Sequence, residues 1–222
     1  MYNIKSIGGY IIQMDKIFKG LGASNHTDHE REKDDFYATD PIAIDELLKK
    51  ETLNPNVWEC ACGQNHLTNR LEKYGYNVRR SDLYKRIDDP KLEIIDFLSN
   101  DNNKIFDGDI ITNPPYNLSL EFTLKALSLV PEGHKVVMFL KLLWLESTKR
   151  YWELFKNNPP KKIYVFSKRV RCELGGGEVK GGSAVCYAWY IFEKSYKGLP
   201  TIDWINIGKE PKKEEARTVK LF

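Results

Sequence analysis

From Asp35 onward the hydrophobic positions alternate between short unbroken runs and stretches with helical spacing. Val57-Trp58-Glu59-Cys60-Ala61 reads as a strand. Asn65 to Tyr74 reads as a helix, with Leu67 and Leu71 on one face and Gly75 as its stop. Asn77 to Arg80 is a second strand, Ile94-Ile95 belongs to a short third, and Asp109-Ile110-Ile111-Thr112 is a fourth that ends at Asn113-Pro114. Leu118 to Leu129 has helical spacing. Lys135 to Leu140 is continuously apolar after its first residue, as a buried strand is. Glu146 to Asn157 predicts a helix ended by Pro159-Pro160, and Ile163 to Phe166 and Ala184 to Phe192 are two further strands. Strands separated by helical stretches argue βαβ units and a mostly parallel sheet. No helix separates the last two of the seven strands, so they are expected to pair antiparallel as a C-terminal hairpin.

In an open sheet of this kind ligands bind beyond the carboxyl ends of the strands. Those ends carry Glu59-Cys60-Ala61-Cys62-Gly63, Ser81-Asp82-Leu83, Asp96-Phe97 and Asn113-Pro114-Pro115-Tyr116. Polar and acidic residues therefore cluster where the rule says to look.

Composition changes the picture little. The chain has 222 residues, 41% hydrophobic and 29% charged, with a net charge of +3, ordinary values for a globular protein. No apolar run approaches the roughly 20 residues of a membrane span, and Gly8 to Ile12 is too short and polar-flanked for a secretory signal. A cytoplasmic location is expected. Cys60 and Cys62 lie in a strand-to-loop turn, Cys172 in a loop and Cys186 in a strand, which is no disulfide framework. Cys60, Cys62 and His66 have no evident fourth ligand, and His26 with His29 lack companions, so no metal site is expected. Lys161, Lys162, Lys168, Arg169, Arg171 and Lys180 concentrate in one stretch around a Gly-rich loop. The stretch reads either as a solvated face or as a segment that meets nucleic-acid phosphates through Lys168, Arg169 and Arg171. Residues 1–34 read as a polar arm, 35–208 as one domain and 209–222 as a charged tail.

Asn113-Pro114-Pro115-Tyr116 carries the most specific chemistry. Two prolines cannot continue a central strand or sit mid-helix, so the chain turns sharply here. Such a turn exposes the Asn113 side chain and leaves the Pro114 carbonyl outside any ladder. Two preplaced acceptors facing one point are suited to hold an amino group, and Tyr116 offers a flat face to a planar base.

The tetrapeptide resembles the signature of amino-methyltransferases that act on adenine N6 or cytosine N4 of DNA, and on some RNA and protein glutamine amides. Trp58 to Leu67 is similar to the cofactor loop of that superfamily, and Phe36-Tyr37-Ala38-Thr39-Asp40-Pro41 resembles its N-terminal motif. The order of the three resembles the small adenine-N6 DNA methyltransferases of phages and prophages, over about residues 35–205. The resemblance implies a Rossmann-like class I methyltransferase fold and S-adenosylmethionine as cofactor. It implies that Glu59, Ala61, Cys62 and Gly63 meet the cofactor's methionine end, bordered by Tyr37, Thr39 and Pro41. Asp82 would bind the ribose hydroxyls and Asp96 accept a hydrogen bond from the adenine amine, with Leu83 and Phe97 next to them as further cofactor-binding residues. Asn65 stands where the family often has a second glycine, a place where asparagine tolerates the left-handed conformation.

The function so implied is methyl transfer to adenine N6 in DNA. A target inside a duplex is unreachable, so the base would be flipped out. Cytosine N4, an RNA adenine, a glutamine amide, or a non-catalytic nucleic-acid-binding module are the alternatives. About 30 residues follow the last strand, too few for an independent recognition domain, so sequence selection would fall to loops, the N-terminal arm, a separate subunit or a homodimer.

Overall fold

A computed structural model describes residues 37–101, 103–170, 172–174 and 185–208. The proposed N-terminal arm, Arg171, the glycines at 175–177, 181 and 182, and the charged tail lie outside the described residues.

The chain enters through β1 (Tyr37–Thr39) and α1 (Ile42–Leu48). Pro41 occupies the residue before α1, and the Asp40 carboxylate accepts the Ile42 N–H at 3.0 Å, so proline geometry and one cap start the helix. β2 (Asn56–Glu59) leads into α2 (His66–Lys73), which buries Leu67, Thr68 and Leu71. Gly75, at φ +88°, ends it, with the Tyr76 N–H returning to the Leu71 carbonyl. β3 (Asn77–Asp82), β4 (Leu92–Ile94) and β5 (Asp109–Thr112) follow, then α3 (Ser119–Leu129) and β6 (Lys135–Lys141).

The helix expected over 146–157 is shorter and irregular. One α turn, α4 (Thr148–Arg150), is capped by the Ser147 hydroxyl and runs into a π turn at Tyr151–Phe155, where the Lys156 N–H reaches the Tyr151 carbonyl at 2.9 Å. Beyond lie β7 (Lys162–Phe166), β8 (Cys172–Leu174), β9 (Tyr187–Glu193) and β10 (Thr201–Ile205). Cys172 is therefore on a strand and Cys186 just before one, the reverse of the sequence expectation.

The main sheet has the order β10-β7-β9-β6-β5-β2-β3-β4. All neighbours are parallel except β9, which runs antiparallel to both β6 and β7. The expected hairpin is present, with β9 inserted between β7 and β6. The strand count is eight rather than seven, because β10 adds itself parallel to the outer edge of β7. Its first four residues are exposed and only Ile205 is buried, so it shows no alternation to read. A second, two-stranded sheet joins β1 to β8, with Thr39 opposite Cys172.

Each face of the main sheet has its own core. Val136, Met138 and Leu140 of β6 pack with Phe122 and Leu127 of α3 and with Leu154. Val137 and Phe139 pack on the other face with Ala43, Ile44 and Leu47 of α1 and Leu67 and Leu71 of α2. The unbroken apolar run of β6 is thus the mark of a strand covered on both faces. Trp144 and Trp189 are both core residues. No helix of the described residues is long and apolar enough to cross a membrane.

Candidate active site

β2, β3, β4, β5, β6 and β7 all point their carboxyl ends to one edge, and β9 begins there. The strand order reverses between β2 and β5, and at this switch point a cavity opens. It is lined by the ends of β2, β3 and β5, the loop after β4 and the start of α3.

The β2 end turns tightly. The Cys62 N–H bonds to the Ser81 carbonyl at 3.0 Å, holding the loop against β3. Gly63 has φ +55° and Asn65 φ +63°, two left-handed residues within three. The asparagine in the second glycine position adopts the required conformation, and its Nδ2 donates to Asp89 at 2.6 Å. Asp89 also accepts from the buried Arg80 at 2.7 Å, which ties the turn to the β3–β4 connection.

Three acidic side chains meet the cavity. Glu59 is buried, accepts a hydrogen bond from the Thr68 hydroxyl, and has its pKa pushed up to about 8 by burial, with Asp82 adding to the effect. Asp82 accepts the Gly63 N–H at 2.8 Å on one oxygen and the Tyr84 N–H at 3.0 Å on the other. Each carboxylate oxygen has a second lone pair for a ligand. Asp96 is exposed and turns its Oδ1 to the Leu98 N–H at 3.0 Å. Phe97 lines the cavity yet is mostly core, edge-on to Trp58 at 5.3 Å and close to Phe122 at 5.0 Å. Leu83 is half exposed at the rim, and Ala61 and Cys62 form the floor beside Glu59.

At the β5 end, Asn113, Pro114 and Pro115 line the same cavity. Among the described residues no donor meets the Pro114 carbonyl, whereas the Pro115 carbonyl accepts the Leu118 N–H at 3.0 Å. The Asn113 Nδ2 donates to Thr39 Oγ1 at 2.9 Å. Thr39 lines the cavity too, and β1 brings it there; of Tyr37 only the backbone is described, paired to Leu174. Pro41 is exposed at the start of α1 and Gly63 is buried with its N–H on Asp82; neither lines the cavity.

Tyr116 also stands outside the cavity. Its ring centroid is 6.0 Å from that of Tyr187, and the Lys141 ammonium sits 4.7 Å above it. These three residues close the ends of β5 and β6 and the start of β9. The sheet edge therefore has two parts: the cavity over β2, β3, β4 and the end of β5, and the Tyr116–Lys141–Tyr187 cluster beside it over β6 and β9.

No protein-family model matches the chain, and no curated protein matches it in sequence. Solved structures do match in fold. A protein from Listeria monocytogenes, assigned as a class I S-adenosylmethionine-dependent methyltransferase, aligns with TM-score 0.52 and 14% identity over 91% of this chain and 73% of its own. An O-methyltransferase assignment from Agrobacterium tumefaciens aligns with TM-score 0.52 and 10% identity over 80% of this chain and 93% of its own. The chain has the class I methyltransferase fold.

Within that class I fold, the basic stretch read from the sequence is divided by β7. Lys161 and Lys162, at the amino end, pair with Glu193 at 2.7 Å and Glu51 at 2.6 Å. Lys168 and Arg169 are exposed beyond the carboxyl end of the strand, on the same edge as the cavity. Arg171 lies outside the described residues. Sequence reasoning placed Gln64 and His66 within the cofactor loop without singling them out and missed Tyr84, Arg86, Asn117 and Leu118; all six line the cavity. Arg86 stands four residues after Asp82, with its Nε 3.8 Å from that carboxylate. Following each strand end a few residues into its loop would have found them.

Proposed function

We propose that this protein is an S-adenosylmethionine-dependent methyltransferase acting on the N6 amine of adenine in DNA. The observation that carries the reading is the Asn113-Pro114-Pro115 turn on the wall of the switch-point cavity, with the Pro114 carbonyl unclaimed by any described donor. Asn113 and Pro114 are two acceptors fixed by a rigid turn, and an exocyclic amine has two N–H bonds to give them.

The cavity suits the cofactor. Glu59 is a buried carboxyl whose charge lacks solvation, so a cationic ligand such as an α-ammonium group would complement it. Asp82 and Asp96 present carboxylate oxygens, acceptors suited to hydroxyl and amine donors. S-adenosylmethionine would supply a methyl group activated by a sulfonium.

The chain's own part is positioning. The amine lone pair of adenine is delocalised into the ring, and accepting both N–H bonds holds the nitrogen with its lone pair directed at the donor. Thr39 orients the Asn113 amide by taking its Nδ2, which leaves the carbonyl oxygen as the amide's other group. Lys168 and Arg169 supply charge for phosphates on the same edge.

The test is transfer of labelled methyl groups to DNA, RNA and protein, followed by digestion and mass analysis. N6-methyladenine in DNA is expected. Label on cytosine, RNA or a glutamine amide would redirect the reading, and no transfer with tight DNA binding would make the chain a binding module.

A further inference from the structure

Leu143 is 72% exposed, although its neighbours are held in place. It sits in a 3-10 turn, Leu142–Leu145, that leaves the carboxyl end of β6. On one side the Leu142 N–H donates to the Cys186 carbonyl at 2.8 Å, and the Tyr190 hydroxyl lies 3.1 and 3.2 Å from the Lys141 and Leu142 carbonyls. On the other side Trp144 is buried. Its Nε1 donates to Ser119 Oγ at 2.8 Å, and that hydroxyl donates to the Tyr116 carbonyl at 2.8 Å. Arg150 closes the turn from beyond, donating to the Trp144 carbonyl at 2.6 Å and the Glu146 carbonyl at 2.9 Å.

A leucine exposed on a floppy loop would need no explanation. This one is presented by a turn anchored in the core and hydrogen-bonded, through Trp144 and Ser119, to the Asn-Pro-Pro-Tyr turn. Two residues earlier, Lys141 places its ammonium over Tyr116. The turn lies at the edge where Lys168 and Arg169 are exposed, so charge suited to a phosphate backbone stands along the same edge.

We propose, resting on the reading above, that Leu143 is the wedge that enters duplex DNA and fills the stack vacated by the extruded base. Extruding a base sacrifices stacking and pairing, and an apolar side chain inserted between base steps offsets part of that loss. The anchored turn keeps Leu143 in register with the catalytic turn, so insertion and delivery of the base occur together. The acceptor is duplex DNA rather than a strand already open.

The experiment compares the wild type and Leu143→Ala in methyl transfer to a DNA duplex and to the same strand single. Leu143→Ala is expected to lower kcat/KM on the duplex at least tenfold and to change it less than twofold on the single strand. A duplex with an abasic site opposite the methylated adenine should restore the variant, because its extrusion is already favoured. Leu143→Met should retain most duplex activity. Equal loss on both substrates, or no loss on the duplex, overturns the wedge while the methyltransferase reading stands. A wild type that methylates only single strands also overturns it. A wild type with no transfer to any nucleic acid overturns both, and the wild-type arm alone reveals this.

Discussion

The Asn113 side-chain amide donates to the Thr39 hydroxyl at 2.9 Å, joining two residues 74 positions apart at the wall of one cavity. The bond decides which way the amide faces. Thr39→Val keeps the shape and removes the acceptor, and should lower kcat about tenfold with cofactor affinity little changed. Asn113→Ala removes the acceptor proposed for the target amine and should cost about 10²–10³ in kcat. Single-turnover transfer with parallel cofactor titration separates the two effects; full activity in Asn113→Ala would remove the assignment.

Glu59 should release a proton when the cofactor binds. Burial holds its pKa at about 8, so at pH 7 the carboxyl is mostly protonated, and an adjacent cation would lower that value. Calorimetry in two buffers of different ionisation enthalpy should show release approaching one proton, lost in Glu59→Gln. In the empty protein the same shift sets a stability trend. A raised pKa means the folded state holds the proton more tightly, so the contribution is full below about pH 4.5 and declines as pH rises through 8. Glu59→Gln should flatten that decline.

Glu51 predicts the opposite slope. Burial works against its charge, but Lys135 at 2.8 Å, Lys162 at 2.6 Å and the Tyr164 hydroxyl at 2.6 Å outweigh it and hold the pKa at about 2. Its contribution is present above about pH 4.5 and lost as pH falls toward 2. Glu51→Gln should cost about 3 kcal/mol at pH 7, measured by denaturant unfolding. The gap to wild type should close on acidification; a constant gap would exclude the ion pairs as its source.

Asn65 separates backbone from side chain. With φ at +63° and a bond to Asp89, Asn65→Gly keeps the turn and loses only the bond. Asn65→Ala also incurs about 1 kcal/mol of left-handed strain. Thermal unfolding should therefore rank wild type above Asn65→Gly above Asn65→Ala, and alanine equal to glycine would refute the strain argument.

The regular elements were legible because burial imposes a period. β2, β5, β6 and α3 each bury enough residues for the pattern to repeat, and the acidic strand ends and double-proline turn follow from them. The π turn at Tyr151–Phe155 escaped because its residues repeat with helical spacing whichever carbonyl the N–H selects.

By itself, then, the sequence determined the alternation of strands and helices, the direction of the sheet and the turn at Asn113, since each depends on neighbours within a few residues. The tertiary structure alone decided that β10 lies beside β7, that β8 pairs with β1 to bring Thr39 to Asn113, and that Lys162 neutralises Glu51 rather than facing a phosphate. β10, with Ile205 its one buried residue, carries no period, and these partners lie far apart in the chain, Ile202 beside Ile163, Lys162 against Glu51 and Thr39 opposite Cys172. What places them is the packing of the finished sheet.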